Sequence, residues 1–185
     1  MDPGQDSDEY LMQQVAAGRE EAFSTLLRRY AHPLLTFIRR MTGSAHRSEE
    51  LFQEVFLAVW SGRRRYQTAR PFRSWLFGIA ANKCREDRRQ QHGPILSLSA
   101  GDVLAPVAVG PSPAEQVIGI EATALVEQCV LRLPPQQRAV VILRVWNCLS
   151  YREIAEALDQ TEGTARSTMF HALNAMRKYL EPRMR

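Results

Sequence analysis

Between Trp60 and Gln91 the chain carries nine Lys or Arg residues and only two Asp or Glu. Nine minus two gives this segment a charge of +7, whereas the whole 185-residue chain carries +4. The excess is concentrated in Arg63-Arg64-Arg65-Tyr66-Gln67-Thr68-Ala69-Arg70 and in the stretch that follows it. Read as a helix from Pro71, that stretch places Asn82, Arg85, Arg88 and Arg89 opposite an apolar stripe, with Glu86 and Asp87 nearer the buried side. Tyr66 and Phe77 stand close by. Clustered positive charge beside aromatic rings is the combination that single-stranded or melted nucleic acid requires, because the charges meet phosphates and the rings stack on bases. A solvated basic face would carry the same charges, and the pattern alone leaves that reading open.

Catalytic chemistry has much weaker support. The carboxylate pairs Glu20-Glu21, Glu49-Glu50 and Glu86-Asp87 are sequence neighbours, and neighbours on a helix do not converge on one point. His32, His46, His92 and His171 are scattered without ligand spacing. Cys84, Cys129 and Cys148 form no CxxC pair and read as reduced thiols in or near cores. The residues therefore predict no enzyme, no metal site and no cofactor. The start, Met1 to Leu11, is acidic and lacks the apolar core of a signal peptide. The longest apolar run, Ala139 to Leu143, is far too short to span a bilayer. A cytoplasmic location without membrane insertion is expected.

The elements that must position these residues are helices. Apolar residues recur at helical spacing, and no strand pattern emerges. Ser7 can cap a first helix that stops at Gly18. A second runs from about Glu20 to Met41 and ends at Gly43, with Pro33 expected to kink it. A third covers about Ser48 to Trp60, with Phe52, Val55, Phe56 and Val59 on one face. The fourth begins at Pro71 and buries Phe72, Trp75, Leu76, Ile79 and Ala80. Residues 91–112 then contain three Gly and three Pro and no Lys or Arg. They read as a connection, although Ile95, Leu96, Leu98, Val103 and Leu104 would let it rest on another surface. Ser112-Pro113-Ala114-Glu115 and Ser150-Tyr151-Arg152-Glu153 are capping boxes, and Leu133-Pro134-Pro135 separates two helices. The expected fold is all-α, with four helices on each side of a linker: one unit at 1–91, the linker at 92–112 and a second unit at 113–185.

The second unit carries another functional pattern. A short helix Ser150–Leu158, the turn Asp159-Gln160 and a longer helix from Thr161 form a helix-turn-helix, with Ile154, Ala155 and Leu158 facing inward on the first helix. Ala165, Met169, Ala172, Leu173, Met176 and Leu180 form the expected buried face of the last. Such a unit can lay its second helix in a DNA major groove. Thr164, Ser167, Phe170, His171 and Asn174 then face outward, with Arg166 on the flank. A plain helical hairpin fits the same spacing. On the third helix, Glu50, Gln53, Glu54, Leu57 and Trp60 fall opposite the core stripe. Two large apolar residues on a wet face call for a cover, supplied either by a partner protein or by another part of the fold.

Taken in order, these segments resemble the extracytoplasmic-function sigma factors of the sigma-70 family. Glu49 to Trp60 looks like the segment that docks on the polymerase clamp. Pro71 to Asn82 looks like the helix that melts the promoter and reads its minus-ten element. Leu133 to Arg138, Leu149 to Ala155 and Glu162 to Ser167 look like the C-terminal domain that reads the upstream element. The resemblance implies a non-catalytic initiation factor whose partners are core RNA polymerase, promoter DNA and an anti-sigma factor. It implies polymerase contacts at Glu50, Gln53, Glu54, Leu57 and Trp60. Minus-ten contacts are implied at Tyr66, Arg70, Phe77, Asn82, Arg85, Arg88 and Arg89, with Tyr66 to Phe72 forming the pocket for a flipped base. Upstream contacts are implied at Arg152, Thr164, Arg166, Ser167, Phe170, His171 and Asn174. One departure is that Thr168, Phe170, His171 and Leu173 occupy a stretch that is usually richer in Arg and Lys. A stand-alone helix-turn-helix regulator is the alternative, and it leaves Arg63–Arg89 and the clamp-like helix unexplained.

Overall fold

The computed structural model describes residues 7–92 and 113–183, and every regular element among them is helical. Of the expected linker only His92 is described, as the last residue of a helix; the rest, with the expected cap Ser112, lies outside the described residues. The first half comprises α1 (Asp8–Ala16), α2 (Glu20–Thr42), α3 (Ala45–Gly62) and α4 (Phe72–His92). The second comprises α5 (Pro113–Arg132), α6 (Pro135–Val145), α7 (Tyr151–Leu158) and α8 (Glu162–Leu180).

The helix ends follow local chemistry. The Ser7 hydroxyl accepts from the Tyr10 N–H at 3.2 Å and caps α1. Gly43 ends α2 with φ 75°, a left-handed conformation that glycine adopts without steric penalty. α2 runs through Pro33 as one helix. α3 starts earlier than expected because Ser44, not a later residue, supplies the cap, accepting from the Arg47 N–H at 3.3 Å. The first turn of α4 receives a carboxylate from another element: the Phe72 N–H donates to Glu9 at 3.0 Å, which suits the positive end of a helix.

α4 passes through the middle of the packing. Phe72 and Phe77 are fully buried beside Tyr30 and Phe37 of α2, with Tyr30–Phe72 centroids 5.5 Å apart and Phe37–Phe77 centroids 5.4 Å apart. Its buried set is wider than the expected stripe. Ser74, Phe77, Gly78, Ala81, Cys84 and Asp87 are buried as well, while Trp75 and Ile79 are only half-buried. The reason is that α4 packs against α2 and α3 on one side and α7 on the other. A β-carbon added at Gly78 would stand 2.8 Å from the Ala157 carbonyl oxygen of α7. Glycine inside a helix costs about 1 kcal/mol relative to alanine, and this approach accounts for its presence.

The second half closes around α6, whose Val140, Val141, Ile142 and Leu143 are all buried. Ser150 and Glu153 form the expected capping box on α7. Asp159, at φ 52°, ends α7, and Thr161 caps α8. Ala165, Met169 and Ala172 face the core as expected, but Leu173 is 49% exposed and does not belong to the buried face. On α7, Ala157 takes an inward place and Leu158 is half-buried. The two halves share one apolar core. Arg138 of α6 pins the junction, donating to the carbonyls of Met41 (2.6 Å), Leu131 and Leu133 (3.2 Å). Those carbonyls sit where α2 and α5 end, the negative poles of both helices. Burial pulls the Arg138 pKa down to about 10, so it remains charged at neutral pH.

All three cysteines are free; Cys84 and Cys129 are buried and Cys148 is exposed. Burial, with Asp87 nearby, pushes the Cys84 thiol up to about 12. Because the thiolate is the reactive form, the folded chain is expected to give one fast-reacting thiol with a chromogenic disulfide at pH 8 and two that react only on unfolding. Three fast thiols would contradict this burial.

Candidate nucleic-acid and polymerase interfaces

The basic segment has three structural parts. Arg63–Arg65 form a single 3-10 turn after α3. The Arg63 guanidinium lies 4.2 Å from the Trp60 ring centroid and donates to the Trp60 carbonyl at 2.6 Å. The loop to α4 is held by Tyr66, whose phenol donates to the Arg70 carbonyl at 2.6 Å. Burial drives the Tyr66 pKa well above the usual tyrosine value, so the phenol stays a donor. Its ring packs 5.1 Å from that of Trp75 and 6.1 Å from that of Phe72. Arg70 reaches away from the loop and donates to the Glu156 carbonyl on α7.

The third part is the outer face of α4. Asn82, Arg85, Arg88 and Arg89 are all exposed, and Arg85 donates to the Asn82 side-chain oxygen at 2.6 Å. These residues share the expected face, but Glu86, expected nearer the buried side, is exposed among them, while Asp87 is buried as expected. Phe77 does not join that face: the side chain is 1% exposed and packs on α2, so it offers no stacking face. Trp75, on the expected core stripe, is instead half-buried, its ring beside that of Tyr66.

On the helix-turn-helix, Arg152, Thr164, Arg166, Ser167, Phe170 and His171 are exposed and Asn174 is half-buried. The Thr164 N–H donates to the Thr161 cap at 3.1 Å. Arg166 pairs with Glu162 and stacks 4.6 Å from the Tyr151 ring. Arg152 pairs with Glu156 at 3.3 Å. Phe170, 63% exposed, meets the His171 ring edge-on at 5.7 Å.

The α3 face is only partly as expected. Leu57 is 65% exposed and Gln53 and Glu50 are exposed. Glu50 pairs with Arg47, which holds its carboxyl below the usual range, and Glu54 pairs with Lys83 at 3.2 Å. Trp60 lies at the border rather than on the wet face. It is half-buried, its ring 5.1 Å from that of Phe23, because α2 covers the end of α3. Among the described residues no His, Cys, Asp or Glu group could hold a metal ion, and no helix is long and apolar enough to cross a membrane.

Comparison with known proteins covers both halves. Residues 26–93 match the family described as Sigma-70 region 2, and residues 123–176 match Sigma-70, region 4. The RNA polymerase sigma-H factor of Pseudomonas aeruginosa is 30% identical, with 98% of this chain and 97% of that protein covered. The ECF RNA polymerase sigma factor SigW of Bacillus subtilis is 29% identical, with 91% of this chain and 94% of that protein covered. In fold, the chain superposes on CnrH, solved in complex with the cytosolic domain of CnrY, with a TM-score of 0.73 at 22% identity, covering 96% of this chain and 99% of that one. It also superposes on the sigma factor RpoE of Bartonella quintana, solved in complex with the anti-sigma factor NepR, with a TM-score of 0.66 at 19% identity, covering 86% and 96%.

A basic helical unit followed by a helix-turn-helix unit, each matching a sigma region, defines a bacterial transcription initiation factor rather than an enzyme. The chain belongs to the sigma-70 family of RNA polymerase sigma factors, in its extracytoplasmic-function group. It binds core RNA polymerase and directs promoter recognition and melting.

Proposed function

We propose a division of labour among three surfaces. Asn82, Arg85, Arg88 and Arg89, with Tyr66 and Arg70 in the loop before them, capture the melted minus-ten strand. Arg152, Thr164, Arg166, Ser167, Phe170, His171 and Asn174 read the upstream element in duplex form. Leu57, with Glu50, Gln53, Glu54 and the border residue Trp60, contacts the polymerase clamp. The functional boundaries are 1–91 for the first domain, 92–112 for the linker and 113–185 for the second. The observation that carries this reading is the exposed set Asn82, Arg85, Arg88 and Arg89 on the helix whose first turns carry Trp75, paired with Tyr66. It unites charge for phosphates with an aromatic step for bases.

An anti-sigma factor is a further proposed partner. Of the proteins whose fold this chain shares, the Bartonella RpoE was solved with the anti-sigma factor NepR, and CnrH with the cytosolic domain of CnrY. The cytoplasm, where polymerase and DNA meet, is the proposed location.

Run-off transcription with core polymerase, with sequencing of the starts, tests the assignment. Arg85→Ala is expected to reduce open-complex formation and to lower the slope of log affinity against log salt by about one, because one phosphate contact is lost. Open complexes of parental yield and unchanged salt slope would remove Arg85 from the strand-capture surface.

A further inference from the structure

The loop from Tyr66 to Phe72 is shaped partly by its own contacts. The Tyr66 phenol donates to the Arg70 carbonyl at 2.6 Å, and the Arg70 N–H donates to the Gln67 carbonyl at 3.0 Å. The Tyr66 ring lies against those of Phe72 and Trp75, which leaves Gln67, Thr68 and Ala69 exposed at the tip. The far end of the loop is the start of α4, where no local residue caps the helix. Pro71 has a closed ring in place of a capping oxygen. The Phe72 N–H is therefore an orphan donor of the first turn. Its acceptor comes from 63 residues away, the Glu9 carboxylate of α1, at 3.0 Å. The positive pole of α4 favours an anion at that point.

α1 is a firm base for this reach. Leu11, Met12 and Val15 are buried, and Asp8 accepts from both Arg29 and Tyr30 of α2. The Tyr30 ring in turn meets Phe72 at 5.5 Å. Burial, reinforced by the charges of Glu9 and Asp8, keeps the Tyr66 phenol protonated and able to hold Arg70. Both ends of the loop thus answer to α1, which lies outside residues 26–93, the stretch matched to Sigma-70 region 2. We infer that Glu9 is a positioning residue for strand capture, fixing the Tyr66–Phe72 loop in the shape that receives an unpaired base. The inference rests on the role proposed above for Tyr66 and Arg70. A loop ordered before DNA arrives spends no binding free energy on its own ordering.

The test uses polymerase holoenzyme and a dye-labelled fork-junction DNA with an unpaired minus-ten strand, read by anisotropy. Glu9→Ala is expected to bind this DNA about tenfold more weakly, the size of one hydrogen bond to a charged acceptor. Glu9→Gln keeps an acceptor oxygen without the charge and should lose about threefold, since a neutral bond is roughly half as strong. An abasic site is then placed at each nucleotide of the unpaired strand in turn. The parent should weaken sharply at one position, where the loop has lost its base. There, parent and both variants should bind alike, while at every other position the gaps persist. A gap of constant size across the scan would reduce Glu9 to a support of the fold and overturn the inference. So would parental affinity in Glu9→Ala, or an equal loss of affinity for core polymerase. Glu9→Gln carries the same comparison alone should Glu9→Ala fail to fold. A parent indifferent to every abasic site would instead remove base capture from the loop, and with it the surface role on which the inference stands.

Discussion

Phe77→Ala is expected to lower the unfolding free energy by about 3–5 kcal/mol, the range for deleting a buried phenylalanine side chain. The ring is 1% exposed, 5.4 Å from Phe37 and 6.5 Å from Tyr30, so no solvent-facing edge remains for a base. Thermal unfolding by circular dichroism should show a midpoint drop of about 10 °C in a chain of this size. A base-stacking residue would behave in the opposite way, with stability within about 0.5 kcal/mol of the parent and a loss confined to promoter melting. Phe77→Leu separates the two cases. It keeps most of the volume and should cost less than about 1.5 kcal/mol, while removing the flat aromatic face. Run-off yields near the parent for Phe77→Leu would place the side chain in the core by function as well as by burial. A specific melting defect in a well-folded Phe77→Leu would reverse the assignment.

Phe77 also shows where the fold is legible in the amino-acid order and where it is not. Helix ends could be read closely because a cap is a local event: Ser7, Ser150 and Thr161 each accept from a backbone N–H three residues on, and Gly43 supplies the left-handed stop. A single apolar stripe understates the buried set of α4, which is covered from two sides, and overreaches on α8, where Leu173 is 49% exposed. Phe77 lies off the Phe72–Leu76–Ala80 line and is interior, packed against Tyr30 and Phe37 of α2. The small residues Ser74, Gly78 and Ala81 were the available sign of a second covered face. α3 begins three residues before the expected Ser48 because Ser44 does the capping, while Ser48 is buried and joined to Thr42 at 3.2 Å. Asn82, Arg85, Arg88 and Arg89 are legible as one exposed face because a single helix suffices to bring them together. The ties between the halves, Arg138 to Met41 and Arg70 to Glu156, join residues 97 and 86 positions apart. Nothing in local periodicity encodes such pairs.

Leu57→Asp is expected to abolish polymerase-dependent transcription while leaving the fold intact. Leu57 is 65% exposed in the middle of α3, on the face away from the buried Leu51, Val55 and Val59. Substitution of a surface residue outside any network usually changes stability by no more than about 0.5 kcal/mol, so helicity and melting temperature should match the parent. At an interface the same leucine behaves differently. Burying a carboxylate against an apolar pocket on the partner, without a cation to meet it, removes the contact and adds a desolvation cost. A loss of 2 kcal/mol, the threshold for a dominant contact, is about a 30-fold weakening of binding. Leu57→Lys distinguishes a lost apolar contact from charge repulsion by the nearby Glu50 and Glu54, and both variants should fail if burial of Leu57 is the cause. Trp60→Ala should give a mixed result, losing stability because its ring packs on Phe23 and supports Arg63. Association with core enzyme, measured by anisotropy of a dye on Cys148, reads all three. Parental affinity in Leu57→Asp would remove α3 from the polymerase contact, and an unfolded Leu57→Asp would return the residue to the core.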